Sequence, residues 1–182
     1  FPTRRSSDLV SSTLYNAVLR TDLEVTSRKA HHSYYEYVEH STDAYVDEST
    51  DFTFKNNSKY PIKIVAKCED GNCTISIFSN GTSEYTIEVE SEVYETKDYP
   101  VVTQNDSSMA VGTTKLLQSG VEGYVSEAFK VYYKNGKEIS RKSISKDTYE
   151  PISEITKVGT KSNNGNSNNN NNNNKIGRAS CR

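Results

Sequence analysis

Two adjacent histidines, His31 and His32, are the side chains of this sequence best suited to acid–base chemistry. An imidazole titrates near neutral pH, so either ring could move a proton or bind a metal ion. A metal site could be assembled from His31, His32, His40 and Asp43, but their spacing fits no known ligand pattern on one strand face. The ordinary interpretation also stands: a solvated or hydrogen-bonding pair that leads into a strand. The sequence predicts no cofactor.

Cys68 and Cys73 form a second candidate site, because they flank the tetrapeptide Glu-Asp-Gly-Asn. Asp-Gly is a strong signal for a two-residue type I′ turn, which places Cys68 directly opposite Cys73 in a hairpin. In a non-hydrogen-bonded pair the Cα atoms lie about 4.5 Å apart, near the lower limit of disulfide reach. We therefore predict a Cys68–Cys73 disulfide, formed in an oxidising compartment. Free thiols are the alternative, and two thiolates without further ligands make a poor zinc site.

One helix and a series of strands must position these residues. Ser11 to Arg20 is predicted to be a helix capped by Ser11 or Ser12, and its apolar face carries Val10, Leu14, Ala17 and Val18. From Ser33 onward the alternation of apolar and polar residues predicts almost continuous strand. The predicted fold class is α+β, mainly antiparallel β. One N-terminal amphipathic helix packs on a β meander, and an elongated β unit follows.

A second hairpin is predicted around Asn135-Gly136, between strands over 121–133 and 138–145. A strand that begins near Tyr85 leads from the first unit to the second, so we expect the boundary within 84–92. Residues 161–174 are rich in Asn, Gly and Ser and cannot bury a core, which predicts a disordered linker.

The composition restricts the partners of the chain. Of 182 residues, 33% are hydrophobic, none is Trp and 13 are Tyr, which suits half-buried strands with polar outer faces. A net charge of −2 gives no strong field for nucleic acid. No apolar run approaches the length of a membrane span.

Several stretches carry a resemblance to known families. VSSTLYNA at 10–17, HHSY at 31–34 and DFTFKNNSKYPIKI at 51–64 resemble, in this order, the VanW family, which is associated with glycopeptide resistance. KNGKE at 134–138, YEPI at 149–152 and KVGT at 157–160 resemble a G-five domain, which often follows VanW on bacterial surface proteins. We expect a truncated VanW-like domain over 10–90 and a G-five-like β domain over 91–160. Residues 1–9 and 175–182 resemble translated sequencing-adaptor read-through, so we expect both to be artefacts.

The VanW resemblance also implies a catalytic pair. In that family Ile-Cys-Gln directly precedes the position of Val10, whereas Ser7, Asp8 and Leu9 stand there in this chain. A Cys at a helix N-terminus has a lowered pKa, and a histidine can serve as its base. The resemblance therefore implies that His32 is the catalytic histidine and that its partner Cys is absent.

The two resemblances together imply an extracellular or cell-surface bacterial protein, with a link to glycopeptide resistance. Its second unit would bind a cell-wall polymer, either peptidoglycan or an N-acetylglucosamine glycan. One alternative is a cysteine-dependent enzyme acting on peptidoglycan, whose nucleophile is lost by truncation. Another alternative is a structural spacer. As it stands, we expect the chain to be inactive as an enzyme.

Overall fold

The structure is a computed structural model that describes residues 2–162, with side chains from Ser6 onward. The predicted linker lies almost wholly outside these residues, as does the segment 175–182. Within the described range the chain forms one helix, α1 (Pro2–Leu19), and ten strands. The strands are β1 (Glu24–Ser27), β2 (Thr53–Lys55), β3 (Ile62–Glu69), β4 (Asn72–Ser79), β5 (Thr86–Lys97), β6 (Val101–Ala110), β7 (Thr114–Gln118), β8 (Gly123–Lys134), β9 (Lys137–Tyr149) and β10 (Glu154–Lys161).

The strands confirm the predicted α+β class with mainly antiparallel pairing. Strands β5, β8 and β9 form an antiparallel sheet in the order β5-β8-β9. A second sheet has the order β6-β10-β7, in which β10 runs parallel to β6 and antiparallel to β7. In the first half of the chain, β1 pairs with β2 and β3 pairs with β4 as two separate ladders, rather than as the one meander expected from the sequence.

Both predicted hairpin turns are confirmed. Asp70 and Gly71 have φ angles of 50° and 78°, and Asn135 and Gly136 have 54° and 74°. Two successive positive φ angles define the type I′ turn, whose twist matches that of the flanking strands. The first turn places Cys68 opposite Cys73, as the sequence predicted.

Helix α1 differs from the prediction in its start and in its buried face. It begins at Pro2, so Ser11 and Ser12 lie inside the helix and do not cap it. Their hydroxyl groups instead bond to the backbone of Ala44. Val10 is 43% exposed, whereas the fully or nearly buried side chains follow a stripe offset from the predicted face: Asp8, Ser11, Ser12, Tyr15, Val18 and Leu19. Three of these six side chains are polar, and for that reason the apolar pattern did not reveal the N-terminal half of this face.

The segment 28–52 is irregular, which contradicts the predicted strands from Ser33 onward. Its backbone bonds to α1 and to the β5-β8-β9 sheet instead of forming a ladder. Asn16 of α1 donates to the Thr42 carbonyl at 2.7 Å, and Ser91 of β5 donates to the His40 carbonyl at 2.7 Å. A segment whose polar groups are satisfied in this way has no need of strand pairing.

The apolar core lies where α1 meets this segment. Tyr15, Leu19 and Ala44 form the buried cluster, and Phe52 packs against it from the first half of the chain. Val89 of β5 and Ile144 of β9 also pack against the cluster. Helix α1 and the β5-β8-β9 sheet therefore hold the irregular segment between them, and this segment carries the histidines.

Candidate functional site

A buried histidine–carboxylate pair forms the centre of the candidate site. His31 and Asp43 are 6% and 4% exposed. Asp43 Oδ2 lies 2.5 Å from His31 Nδ1 and accepts a second bond, of 2.6 Å, from the His31 backbone N–H. An Asp that holds one ring nitrogen fixes the orientation and tautomer of an imidazole, and it leaves the other nitrogen available for proton transfer.

The other oxygen of Asp43 is bound by two residues that are distant in sequence. Arg28 Nη2 donates to Asp43 Oδ1 at 2.8 Å, and the hydroxyl of Tyr149 donates to the same atom at 2.6 Å. Arg28 Nη1 in turn lies 2.7 Å from both carboxylate oxygens of Asp147. Arg28 and Asp43 therefore form a buried ion pair whose hydrogen bonds are satisfied, which is the condition for stability of such pairs.

The second ring nitrogen of His31, Nε2, faces residue 8 of α1. His31 Nε2 lies 3.4 Å from Asp8 Oδ2 and 3.4 Å from the Tyr37 hydroxyl. Three tyrosine rings, those of Tyr35, Tyr37 and Tyr45, contact the imidazole edge-on. The rings shield the imidazole from solvent, and Asp8 and Tyr37 are the polar groups that face its Nε2 atom.

The charges around the pair set its protonation. Burial alone would lower the pKa of His31, but the hydrogen bond and charge of Asp43, with that of Asp8, outweigh it and raise the pKa above 6.5. Burial likewise opposes ionisation of Asp43, yet His31, Arg28 and Tyr149 together lower its pKa. Burial raises the pKa of Tyr37 to about 12. The centre therefore favours an imidazolium beside an ionised Asp43.

Comparison with known proteins divides the chain into two parts. The family model described as "VanW like protein" matches residues 9–78, and the model of the G5 domain matches residues 88–161. The chain carries a VanW-like region followed by a G5 domain. This confirms both resemblances and their order.

Two solved structures are similar to part of the chain. The IgA1 protease G5 domain is 26% identical over 43% of this chain and 95% of its own, with a TM-score of 0.29. The HP0197-G5 structure is 23% identical over 42% of this chain and 100% of its own, with a TM-score of 0.24. No curated protein is significantly similar.

Both families indicate a module of the cell-surface type. VanW-like and G5 proteins are typically extracellular or surface-associated, and G5 is a carbohydrate- or surface-binding domain. Within residues 2–162, no helix has the length and apolar character that crossing a membrane requires.

Three predicted site residues of the VanW-like region lie apart from one another. His31 enters the buried centre, whereas the side chain of His32 is exposed. The carbonyl group of His32 accepts a 2.8 Å bond from the backbone N–H of Glu150. His40 stacks on Tyr34 with ring centroids 3.9 Å apart. In the described part of the chain, no group of three or more His, Cys, Asp or Glu side chains is placed to hold a metal ion.

The candidate disulfide residues lie at the tip of the β3–β4 hairpin, away from the His31 centre. Cys68 and Cys73 are free thiols whose Sγ atoms are 2.8 Å apart. The Cys68–Cys73 disulfide itself stays a prediction, which the register and this distance support.

Three residues of the centre had no signal in the sequence: Arg28, Asp147 and Tyr149. Arg28 is separated by 119 positions from Asp147, and Tyr149 by 106 from Asp43. The G5 domain contributes two of the three, so reasoning about the VanW-like region by itself could not have found them.

A separate groove of about 940 Å³ lies between the end of α1, strand β4 and the start of β5. Tyr60, Phe78 and Tyr85 contribute aromatic rings to its wall, and Arg20 and Asp22 contribute charges. The rest of the wall is mostly polar, with serine, threonine, asparagine, lysine and glutamate side chains.

Proposed function

We propose that this chain is part of a bacterial cell-surface protein whose G5 domain binds a cell-wall polymer, either peptidoglycan or an N-acetylglucosamine glycan. The observation that carries the proposal is the exposed β6-β10-β7 sheet of the G5 domain. Val101 and Val102 are 65% and 41% exposed, and Leu116 and Leu117 are 54% and 46% exposed. Neighbouring residues of a strand point to opposite faces, so both faces of this sheet expose large apolar side chains. Such surfaces are typical of interaction sites.

Retention of the full chain on purified peptidoglycan tests the proposal. We expect retention above that of a control protein, and competition by soluble N-acetylglucosamine oligomers. Leu116→Ser should reduce retention, whereas Ile139→Ser, which removes a similarly exposed apolar side chain (53%) from β9, should not. Phe78→Ser tests the groove of the VanW-like region, where loss of retention would move the binding site out of the G5 domain.

A structural spacer is the outcome if the chain is not retained at all. The exposed sheet would then separate neighbouring domains without recognising a polymer.

A link to glycopeptide resistance belongs to the same proposal and is supported by the VanW-like match alone. It predicts a higher minimal inhibitory concentration of vancomycin for cells that express the full-length protein than for cells that lack it.

A second candidate function is a cysteine-dependent enzyme acting on peptidoglycan, and the geometry at residue 8 favours it. The VanW family pattern places its Cys at this position, and His31 Nε2 faces the side chain there at 3.4 Å. A Cys, an imidazole and a carboxylate in this order are the parts of a thiol nucleophile with its base and orienting group. The base in this proposal is His31 and no longer His32. Residue 8 lies inside α1, so activation would come from His31 and not from the helix N-terminus.

The variant Asp8→Cys tests this candidate. We expect its thiol to react with iodoacetamide at pH 6 faster than the same thiol in Asp8→Cys/His31→Gln, because an imidazolium stabilises the thiolate. Asp8→Cys/His32→Gln is the matched control and should keep the fast reaction. Equal rates in the first two variants would contradict the role of His31. With Asp8 in place, the chain has no thiol at this position and is expected to be inactive.

A further inference from the structure

We propose that Tyr149 and Asp147 of the G5 domain are positioning residues for the His31–Asp43 pair of the VanW-like region, so that the centre is complete only when the two parts are docked. This goes beyond polymer binding and does not depend on a nucleophile at residue 8, because it concerns the orientation of a pair already present in the chain.

The two oxygens of the Asp43 carboxylate have different partners, and Oδ1 is shared between the two parts of the chain. Oδ2 accepts both bonds from His31, one from the ring and one from the backbone. Oδ1 accepts from Arg28 and from Tyr149. The plane of the carboxylate is fixed by donors on both sides, and the plane sets the direction in which His31 Nε2 points.

Tyr149 is held rigidly enough to act in this way. It is the last residue of β9 and is 1% exposed. Its hydroxyl donates to Asp43 and accepts a 2.8 Å bond from the backbone N–H of Ser41, two residues away along the segment. A buried hydroxyl with both a donor and an acceptor partner cannot rotate without leaving one of them unsatisfied.

Asp147 acts on the pair through Arg28. Arg28 Nη1 is within 2.7 Å of both oxygens of Asp147, while Nη2 and Nε bond to the side chain and the backbone carbonyl of Asp43. The guanidinium is planar, so fixing one of its edges on Asp147 orients the edge that meets Asp43. Tyr149 and Asp147 lie two residues apart on β9 and so share one face of the strand.

A charge-conserving pair of variants tests the proposal: Tyr149→Phe and Asp147→Glu, both in the full chain. The readout is the pKa of His31, from NMR titration of the ring protons of the three histidines. The groups that face His31 are Asp8, Asp43, Tyr35, Tyr37 and Tyr45, and those that face Asp43 are also Arg28 and Tyr149. All except Tyr149 are retained in both variants.

We expect each variant to lower the pKa of His31 by about one pH unit, because a turned Asp43 no longer offsets the effect of burial. The matched controls are Tyr133→Phe, at the far end of the same sheet, and Asp106→Glu, which pairs with Lys157 in the other sheet. Neither control should change the pKa. Thermal unfolding confirms that each variant is folded.

The opposite result is expected if Asp43 keeps its orientation without these residues. Loss of the Tyr149 donor then makes the Asp43 carboxylate more basic, and the pKa of His31 is unchanged or higher. That outcome in folded Tyr149→Phe would overturn the proposal. If Tyr149→Phe does not fold, the same titration of Asp147→Glu tests the proposal. The Asp147 side chain is 13% accessible, so this position tolerates a slightly longer side chain.

Discussion

At the scale of single residues, the protonation of His31 links the centre to the stability of the chain. The folded state raises the pKa of this imidazole above its ordinary value of 6.5, through Asp43 and Asp8 and against the effect of burial. A base with a raised pKa binds its proton more tightly in the folded state than in the unfolded state. Its contribution to stability is therefore complete below pH 6.5 and is lost as the pH rises through the folded pKa.

We predict that, as the pH rises from 5.5 to 8.5, the free energy of unfolding of the wild type falls relative to that of His31→Asn. The loss is expected because the folded state binds the His31 proton more tightly than the unfolded state, and this contribution disappears as the pH rises through the folded pKa. Urea unfolding at several pH values measures it. His40 has a lowered pKa because of burial and acts in the opposite direction, but it is present in both proteins and its effect cancels. His32→Asn, at an exposed position, is the control. Parallel pH dependences of wild type and His31→Asn would contradict the prediction.

The sequence identified the histidine pair but not which member enters the centre. In a strand, side chains alternate between the two faces, so the pattern of the other residues shows which of two neighbours points inward. His31 and His32 lie in an irregular segment, where no period relates neighbouring side chains. The choice depends on Asp43, Asp8 and three tyrosine rings that the fold brings together.

At the scale of elements, the β3–β4 hairpin is set by its turn, and from this follows a prediction for its cysteines. Mild oxidation of a Cys181→Ser variant should close one intramolecular Cys68–Cys73 disulfide, because the Sγ atoms already lie 2.8 Å apart. The short loop that it closes limits the gain in stability to about 2 kcal/mol. Thiol titration before and after oxidation measures the change. The double variant Cys68→Ser/Cys181→Ser should keep its one remaining thiol, and two free thiols after oxidation of Cys181→Ser would contradict the prediction.

The parallel pairing of β10 with β6 depends on a glycine. A Cβ at Gly159 would lie 2.0 Å from the backbone oxygen of Ala110. Because the contacted atom belongs to the backbone, no movement of a side chain could relieve this clash. We predict that Gly159→Ala lowers the free energy of unfolding by about 1–3 kcal/mol, since the backbone must shift. Thr160→Ala, at the exposed neighbouring position, should change it by less than about 0.5 kcal/mol. Equal midpoints of urea unfolding for the two variants would rule out the close approach as a constraint.

Elements determined by local chemistry were predictable, and those determined by distant partners were not. Asp70-Gly71 and Asn135-Gly136 specify their turns through the backbone preferences of two residues each, so both hairpins were found. The shape of 28–52 depends on bonds from side chains of α1 and from Ser91 of β5. The buried face of α1 is polar at Asp8, Ser11 and Ser12, so no apolar period marks its N-terminal half. The segment that it binds has the composition of a strand.

At the scale of the whole molecule, buried contacts cross the boundary between the two family matches. Helix α1 of the VanW-like region packs on Val89 and Ile144 of the G5 domain. Polar contacts continue this interface: Ser41 bonds to Ser126 at 2.8 Å, and Lys130 donates to the Thr21 carbonyl at 2.8 Å. Buried contacts of this kind couple the stability of the parts that share them.

We therefore predict that the irregular segment 28–52 and the β5-β8-β9 sheet unfold together. Leu19 is fully buried in the shared cluster, and Leu19→Ala should cost about 2–5 kcal/mol. If the core is shared, amide hydrogen exchange should accelerate by a similar factor in segment 28–52 and in β8, although the substitution lies in neither. Leu117→Ala, at an exposed position of the other sheet, is the matched control and should leave both rates unchanged. Faster exchange confined to segment 28–52, with β8 still protected, would mean that the G5 domain has an independent core. The orientation of Asp43 would then depend on docking between two separately stable parts rather than on one cooperative fold.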